Sequence, residues 1–335
     1  MSNTGSTRRN LLKKVALVGG AAVATGMLLP SSVQAKGRGA GPAGQVPGVS
    51  TVIDTSHASP QVVRSVSAYF LAKATRDVDA TMAHFSKKPF TYTDGTLGLQ
   101  FATWENLRDL FAQQMPTWPA GANSYPTRII GDENSAIVYF SNNPGIFFPS
   151  EMRAISVVNF VRGKITRWDD YWDPNHVGAA NLVGMKLPDN QFPADFGESL
   201  VGEPTAARIK RAATRLNTAM AANDTAAAAA LFAPDATFVD LPAHVRVTGP
   251  RHIGTFLTGA RGTLPYIGSE VKVRHVVGSE AGGGYEWTAN GVVPRGVNVI
   301  TLNAQGLITS FESMWDGARL DDSQLLRLAT AAIER

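Results

Sequence analysis

The chain has 335 residues, 44% of them hydrophobic and 17% charged, with no cysteine and a formal net charge of +4. That length and composition suit a globular protein of two domains, and the missing cysteines exclude disulfides, thiolate metal sites and a cysteine nucleophile. Four of the 31 Lys and Arg residues, Arg8, Arg9, Lys13 and Lys14, lie in an acid-free leader; the other 27 match the 27 acids, so the excess charge makes no case for nucleic acid or an anionic surface.

Residues 1–35 read as a twin-arginine export signal. Arg8 and Arg9 precede a mildly apolar stretch from Val15 to Leu29, and Val33-Gln34-Ala35 offers small residues for cleavage. The apolar stretch is diluted by glycine and falls short of the ~20 residues of a stable membrane span. The twin-arginine translocase is therefore an expected partner during export, and the periplasm or the exterior the expected destination. Residues 36–58, rich in Gly and Pro, read as a flexible tether. Gly39, Gly41 and Gly44 satisfy G-x-G-x-x-G, but no strand precedes them and no helix follows, so they make no dinucleotide site.

From residue 59 the sequence runs through one pattern twice. Asp77, Phe85, Asp94 and Leu107 are followed by Gly163, Ile165, Trp172 and Asp173; Asp224, Phe232, Asp240 and Ile253 are followed by Gly306, Ile308, Trp315 and Asp316. From the glycine onward the spacing is identical, which predicts two copies of one domain at 59–178 and 205–322, a linker at 179–204 and a C-terminal helix at 323–335. Ser59 and Pro60 open a helix with Val62, Val66 and Tyr69 on one stripe; Thr205 opens its counterpart with Ile209, Ala213, Leu216 and Met220. A short helix follows from Asp77 to Phe85, and again from Asp224 to Phe232. Strands are expected at Phe90–Thr93, Ser135–Ser141, Arg153–Val161 and Ile165–Tyr171. In the second copy they fall at Thr237–Val239, Val271–Val277, Tyr285–Ala289, Val297–Leu302 and Leu307–Met314, with Gly282, Gly283 and Gly284 as a hairpin connection. Helices first and strands after predict an α+β fold: two tandem cones, each a curved antiparallel sheet with helices on its concave face.

The segments Phe232-Ala-Pro-Asp-Ala-Thr-Phe-Val-Asp240 and Thr248-Gly-Pro-Arg-His-Ile253, with a last strand ending in Trp315-Asp316, resemble the nuclear transport factor 2-like superfamily. The likeness is nearest to its SnoaL-like branch of ketosteroid isomerases and polyketide cyclases. The resemblance implies a carboxylate base at Asp94 and a tyrosine donor at Tyr69, with a second oxyanion donor expected where Met152 stands; Glu151 beside it points to the other face of a strand. In the second copy it puts a base at Asp240, but Leu216 replaces the tyrosine and Arg295 the acid. It also implies that the face carrying Trp168, Asp170 and Trp172 lines the pocket, so Asp170 replaces the missing donor or is instead solvated or paired with Arg167. Asp94 in Asp-Gly is equally a turn carboxylate, and Tyr69 on its apolar stripe reads more readily as a core aromatic than as a proton donor. Asp240 and His244, four apart across a Leu-Pro turn, are a candidate acid and base, and Trp315 a pocket wall.

His57, His84, His176, His244, His252 and His275 form no H-x-H or H-E-x-x-H unit; neither a metal nor a cofactor is expected. The preferred reading is a binder of a small apolar carbonyl or polycyclic compound that performs cofactor-free isomerisation, cyclisation or dehydration. The competing reading is a non-catalytic periplasmic binding or interaction module in which the two copies pack as an intrachain pseudo-dimer. An epoxide hydrolase is a weaker third reading, since it needs a water held between several polar groups.

Overall fold

The computed structural model describes residues 52–182, 184–188, 191–202 and 205–333. The expected export signal at residues 1–35 and most of the expected tether lie outside them. Among the described residues no helix is long and apolar enough to cross a membrane.

The fold is α+β, built on two mixed sheets. In the first half, β1 (Asp54–Ala58) precedes helices α1 (Pro60–Ala74) and α2 (Val78–Met82), the hairpin β2 (Thr91–Asp94) and β3 (Leu99–Phe101), and α3 (Trp104–Gln114). Four strands follow: β4 (Ser124–Gly131), β5 (Ser135–Asn142), β6 (Met152–Val161) and β7 (Lys164–Trp172). After a short helix α4 (Glu198–Val201), the second half has α5 (Ala207–Ala221), α6 (Thr225–Ala229), β8 (Phe232–Asp240), β9 (Val245–Thr248) and α7 (Pro250–Gly259). It closes with β10 (Lys272–Ser279), β11 (Gly282–Thr288), β12 (Arg295–Leu302), β13 (Ile308–Trp315) and α8 (Asp322–Ala331). The sheet orders are β1-β4-β5-β6-β7-β2-β3 and β10-β11-β12-β13-β8-β9, the same apart from β1.

Helix starts follow their capping chemistry. The Ser59 hydroxyl accepts from the Val62 amide with Pro60 in the first turn of α1, and the Asp77 carboxylate caps α2 by accepting from Ala80. Where no side chain caps, the expected start shifts: α5 begins at Ala207, two residues after Thr205.

Several elements differ from expectation. Residues 54–58 of the tether form β1, which runs parallel to β4, and β2 and β8 run parallel to β7 and β13, so the sheets are antiparallel only in part. β4 was not expected as a strand; Pro126 interrupts its pattern and sits at a register shift, where a residue without an N–H is tolerated. Gly282, Gly283 and Gly284 lie inside β11 rather than in a connection. Part of the 179–204 linker packs in the interior, with Phe196 fully buried.

The central strands of each sheet alternate between two buried faces. The inner face of the first sheet, with Val138, Phe140, Ala154, Val158 and Trp168, meets Val62, Val66 and Tyr69 of α1. The second sheet repeats this with Ile300, Phe311 and Trp315 against Ile209, Ala213 and Leu216. The outer faces meet each other: Ile130, Ile137, Ile155 and Val157 pack on Val277, Val297, Val299 and Met314. A Cβ added at Gly282 would lie 3.0 Å from Ile130 and one at Gly284 2.9 Å from Ile137, so glycine there lets the sheets approach. Polar pairs cross the seam as well. Arg167 Nη2 donates to Glu286 at 2.5 Å, the Tyr171 hydroxyl to Glu286 at 2.9 Å, Arg128 pairs with Glu312, and His275 Nε2 lies 2.9 Å from Asn159 Oδ1.

Candidate functional site

Alternation along β7 places Trp168, Asp170 and Trp172 on the inner face, and the parallel register sets Tyr92 opposite Trp168 and Asp94 opposite Asp170. Tyr69 reaches the same space from α1, its ring centroid 5.1 Å from Trp168 and 5.5 Å from Phe85. Tyr69, Asp94 and Asp170, all three named from the sequence, thus lie on the inner side of the first cone, Tyr69 beside Trp168 and Asp94 beside Trp172.

Their bonding differs. Asp170 is buried with three donors: Trp168 Nε1 and the Ser156 hydroxyl at 2.6 Å to Oδ1, and the Tyr92 hydroxyl at 2.6 Å to Oδ2. Burial pushes its pKa up, and those donors offset only part of the rise. It is not solvated and not paired with Arg167; Asp169, on the opposite face, takes that partner at 3.4 Å. Asp94 closes β2, half-buried. Its Oδ1 accepts from the Leu97 amide at 2.8 Å and its Oδ2 from Trp172 Nε1 at 2.9 Å. Burial, reinforced by the negative charge of Asp170, holds its pKa up at about 7. Asp94 thus closes a turn, with its carboxylate held by the indole of the inner-face Trp172. Tyr69 is fully buried, its hydroxyl has no hydrogen-bond partner among the described residues, and burial keeps it protonated well above the usual phenol range.

The second cone repeats one feature. Asp240 Oδ1 accepts from the Ala243 amide at 2.9 Å, and its Oδ2 from Trp315 Nε1 at 3.0 Å, just as Asp94 holds Leu97 and Trp172. Asp240 also receives the Tyr266 hydroxyl at 2.7 Å and is fully buried, which raises its pKa to about 6. Ser313 stands opposite it where Asp170 stands opposite Asp94, so this cone has one inward acid. His244 is exposed in a turn at φ 53°, and the Asp240 carboxylate takes its bonds from elsewhere. Met152 is buried in the first core, its sulfur 3.7 Å from Asn142 Nδ2. Arg295 is not in the second cone: it opens β12 and lies at the seam, its guanidinium 4.0 Å over the Phe192 ring.

Sequence reasoning missed Lys73, although it continues the stripe of Val62, Val66 and Tyr69 on α1. A lysine on an otherwise apolar stripe was the signal. Lys73 is 3% exposed, donates to the Ser124 hydroxyl at 3.2 Å, and sits 5.6–6.0 Å from the rings of Tyr69, Phe70, Phe111, Trp118, Phe140 and Phe147. Among the described residues it has no ion pair. Burial pulls its pKa down to about 8, against an upward pull from Asp170. Because the folded value lies below the unfolded one, the ammonium destabilises the fold below pH 8, and the penalty fades as pH rises toward 10. Lys73→Met is therefore expected to raise the unfolding free energy by about 1–3 kcal/mol at pH 7 and by much less at pH 10. Urea titrations at the two pH values check this; a variant less stable at pH 7 would refute it.

Among the described residues, no three His, Asp or Glu side chains gather as metal ligands.

No curated protein matches the chain. Solved structures with similar folds include a Silicibacter pomeroyi protein with a cystatin-like fold (23% identity, 38% of this chain and 85% of that one, TM-score 0.30). A steroid delta-isomerase from Pseudomonas aeruginosa is 18% identical over 39% of this chain and 93% of its own (TM-score 0.30). A SnoaL-like protein of unknown function from Burkholderia thailandensis is 11% identical over 33% and 97% (TM-score 0.30). Residues 213–311, within the second half of the chain, match the family model described as a SnoaL-like domain.

Proposed function

We propose that the chain is an exported small-molecule-binding protein whose first cone takes an apolar, carbonyl-bearing compound and moves a proton on it without a cofactor. The observation that carries this reading is the contrast between two matching carboxylates. Asp240 is fully buried and takes the Tyr266 hydroxyl besides a turn amide and an indole, whereas Asp94 is half-buried, and burial holds its pKa up at about 7. A base with that pKa is largely ionised just above neutrality and still accepts a proton readily, and a positioned base contributes ~10²- to 10⁴-fold. The unpartnered Tyr69 hydroxyl is a fixed donor for an oxygen that gains charge as the proton leaves. Isomerisation, cyclisation and dehydration share this step. The second half, in this reading, braces the first.

A second reading has its own observation. Asp94 and Asp240 make the same bonds to a turn amide and a last-strand tryptophan, so both are structural clasps in a non-catalytic binding module with an intrachain pseudo-dimer. One experiment separates the two. Protein isolated from the periplasmic fraction is assayed for conversion of a β,γ-unsaturated cyclic ketone to its conjugated isomer, read by absorbance. Wild type is expected to turn over with a rate that climbs through pH 7, and Asp94→Asn to lose ~10²-fold or more while remaining folded. An undiminished Asp94→Asn rate rejects the base, and absence of the protein from both the periplasmic fraction and the medium rejects export.

A further inference from the structure

A nine-residue connection, 143–151, joins β5 to β6 at the end of the first cone where β7 finishes. Its Ile146 and Phe148 are buried and its Phe147 is half-buried. Phe148 lies against Trp172 with ring centroids 5.3 Å apart, and Phe147 against Trp118 at 6.1 Å. Little but this apolar contact holds the middle of the loop. Among the described residues, 144–150 make hydrogen bonds only within the loop, from the Gly145 amide to the Phe148 carbonyl at 2.7 Å and from the Ile146 amide to the Asn143 carbonyl at 3.2 Å. The two ends are tied: Asn143 bonds to Asn123 through its amide at 3.0 Å and its Oδ1 at 2.9 Å, and Glu151 accepts from Ser141 at 3.2 Å and from Arg153 at 2.9 Å. Trp118 and Pro119, on the facing side, are fixed, since Arg76 donates to their carbonyls at 3.0 and 2.5 Å.

Lys73 lies under this loop, with Phe147 one of the six rings around it. An ammonium carries three donors, and the Ser124 hydroxyl is the one acceptor Lys73 has among the described residues. Asp170 on β7 and Tyr69 on α1 are the titratable groups that face it; Phe111 of α3, Phe140 of β5, Trp118 and Phe147 bring no charge. A cation so placed gains most from water, and lifting Phe147 admits water without breaking a helix or a strand. We propose that residues 143–151 are a lid hinged at Asn143 and Glu151, and that the Lys73 ammonium drives it open. Burial holds the closed-state pKa of Lys73 at about 8, below the ordinary lysine value, so the push to open is complete below pH 8 and is lost as pH rises toward about 10.4. Opening also withdraws Phe148 from Trp172, the indole that holds Asp94, so the lid and the candidate base respond to one another. The gate does not depend on the proton transfer proposed for the first cone.

Because the chain has no cysteine, a single introduced thiol reports the lid. Ile146→Cys in the loop and Val138→Cys, fully buried on β5, are labelled with iodoacetamide in the intact protein. Ile146→Cys is expected to label at least tenfold faster than Val138→Cys, with little response to low urea, as local opening requires. Adding Lys73→Met to Ile146→Cys is expected to slow labelling at least tenfold at pH 7 and less than about fourfold at pH 10; comparing the two at each pH cancels the chemistry of the thiol. Should Ile146→Cys not fold, hydrogen exchange of the 143–151 amides in the unaltered chain and in Lys73→Met reads the same opening. Labelling of Ile146→Cys at the Val138→Cys rate, or exchange of those amides only through global unfolding, overturns the lid. A pH 7 opening unchanged by Lys73→Met overturns the lysine as its driver.

Discussion

Replacing Arg167 by methionine is expected to lower the unfolding free energy by about 3–5 kcal/mol, the usual cost of leaving a buried charge without its partner. Arg167 is fully buried on the outer face of β7. Its Nη2 donates to Glu286 at 2.5 Å and to Asp169 at 3.4 Å, and its Nε donates to the Phe196 carbonyl at 2.9 Å. Burial pushes Glu286 up, but Arg167 and the neighbouring donors outweigh it and hold the carboxyl at about 2. Asp169 goes the other way: burial and the charge of Glu286 raise it well above the carboxylate range. The cluster therefore sets two cations, Arg167 and Arg274, against Glu286 and Glu198, with Asp169 held protonated.

The sign of the pH dependence follows. Glu286 is depressed below its unfolded value, so its stabilising share is complete above about pH 4.5 and disappears as pH falls through 2. Without Arg167 the surviving carboxylate is neutralised by uptake of a proton, so the loss is largest near neutrality and shrinks toward pH 4. Adding Glu286→Gln to Arg167→Met removes the stranded charge and is expected to recover more than half of the loss. Urea unfolding of both variants at pH 7 and pH 4 is the measurement. A loss below about 1 kcal/mol at pH 7 would show that the pair is not what holds the seam.

Asp240→Ala is expected to cost about 3–5 kcal/mol as well, through a different mechanism. The carboxylate is the acceptor for the Ala243 amide, the Tyr266 hydroxyl and the Trp315 indole, and its removal strands three buried donors at about 1–3 kcal/mol each, less than additively. Asp240→Asn keeps one acceptor oxygen and sheds the burial penalty, so it is expected to cost about 1 kcal/mol. Its pKa of about 6 lies above the unfolded value, so ionisation of Asp240 weakens the wild-type fold as pH rises from 4 to 6, a slope absent from the alanine and asparagine variants. Chemical denaturation across that range checks both points. Equal stabilities for Asp240→Ala and wild type would remove the clasp from the account.

Local periodicity made much of the architecture legible. The stripe Val62, Val66, Tyr69 specified the inner face of α1, and the alternation of Trp168, Asp170 and Trp172 specified the inner face of β7. The repeated spacing up to Trp172 and Trp315 marked the two strands whose indoles hold Asp94 and Asp240. What escaped depends on contacts distant in sequence. Arg167 and Glu286 lie 119 residues apart, and neither residue's neighbours signal that two outer faces will meet. Gly282–Gly284 has the composition of a turn, yet it pairs with β10 and β12 as a strand, and Ile130 and Ile137 of the other sheet lie where side chains at 282 and 284 would stand. Tyr266, which completes the sealing of Asp240, follows a proline in an aperiodic stretch and gave no signal.

Those glycines also bear on what the chain can assemble with. Two copies of the second sheet set back to back would place bare backbone against bare backbone at Gly282 and Gly284, leaving a void where Ile130 and Ile137 now stand. The first sheet, doubled on itself, would press isoleucine on isoleucine. Each face is complementary to its unlike neighbour and poorly matched to its own kind, so the chain satisfies this surface internally and offers no homodimer through it.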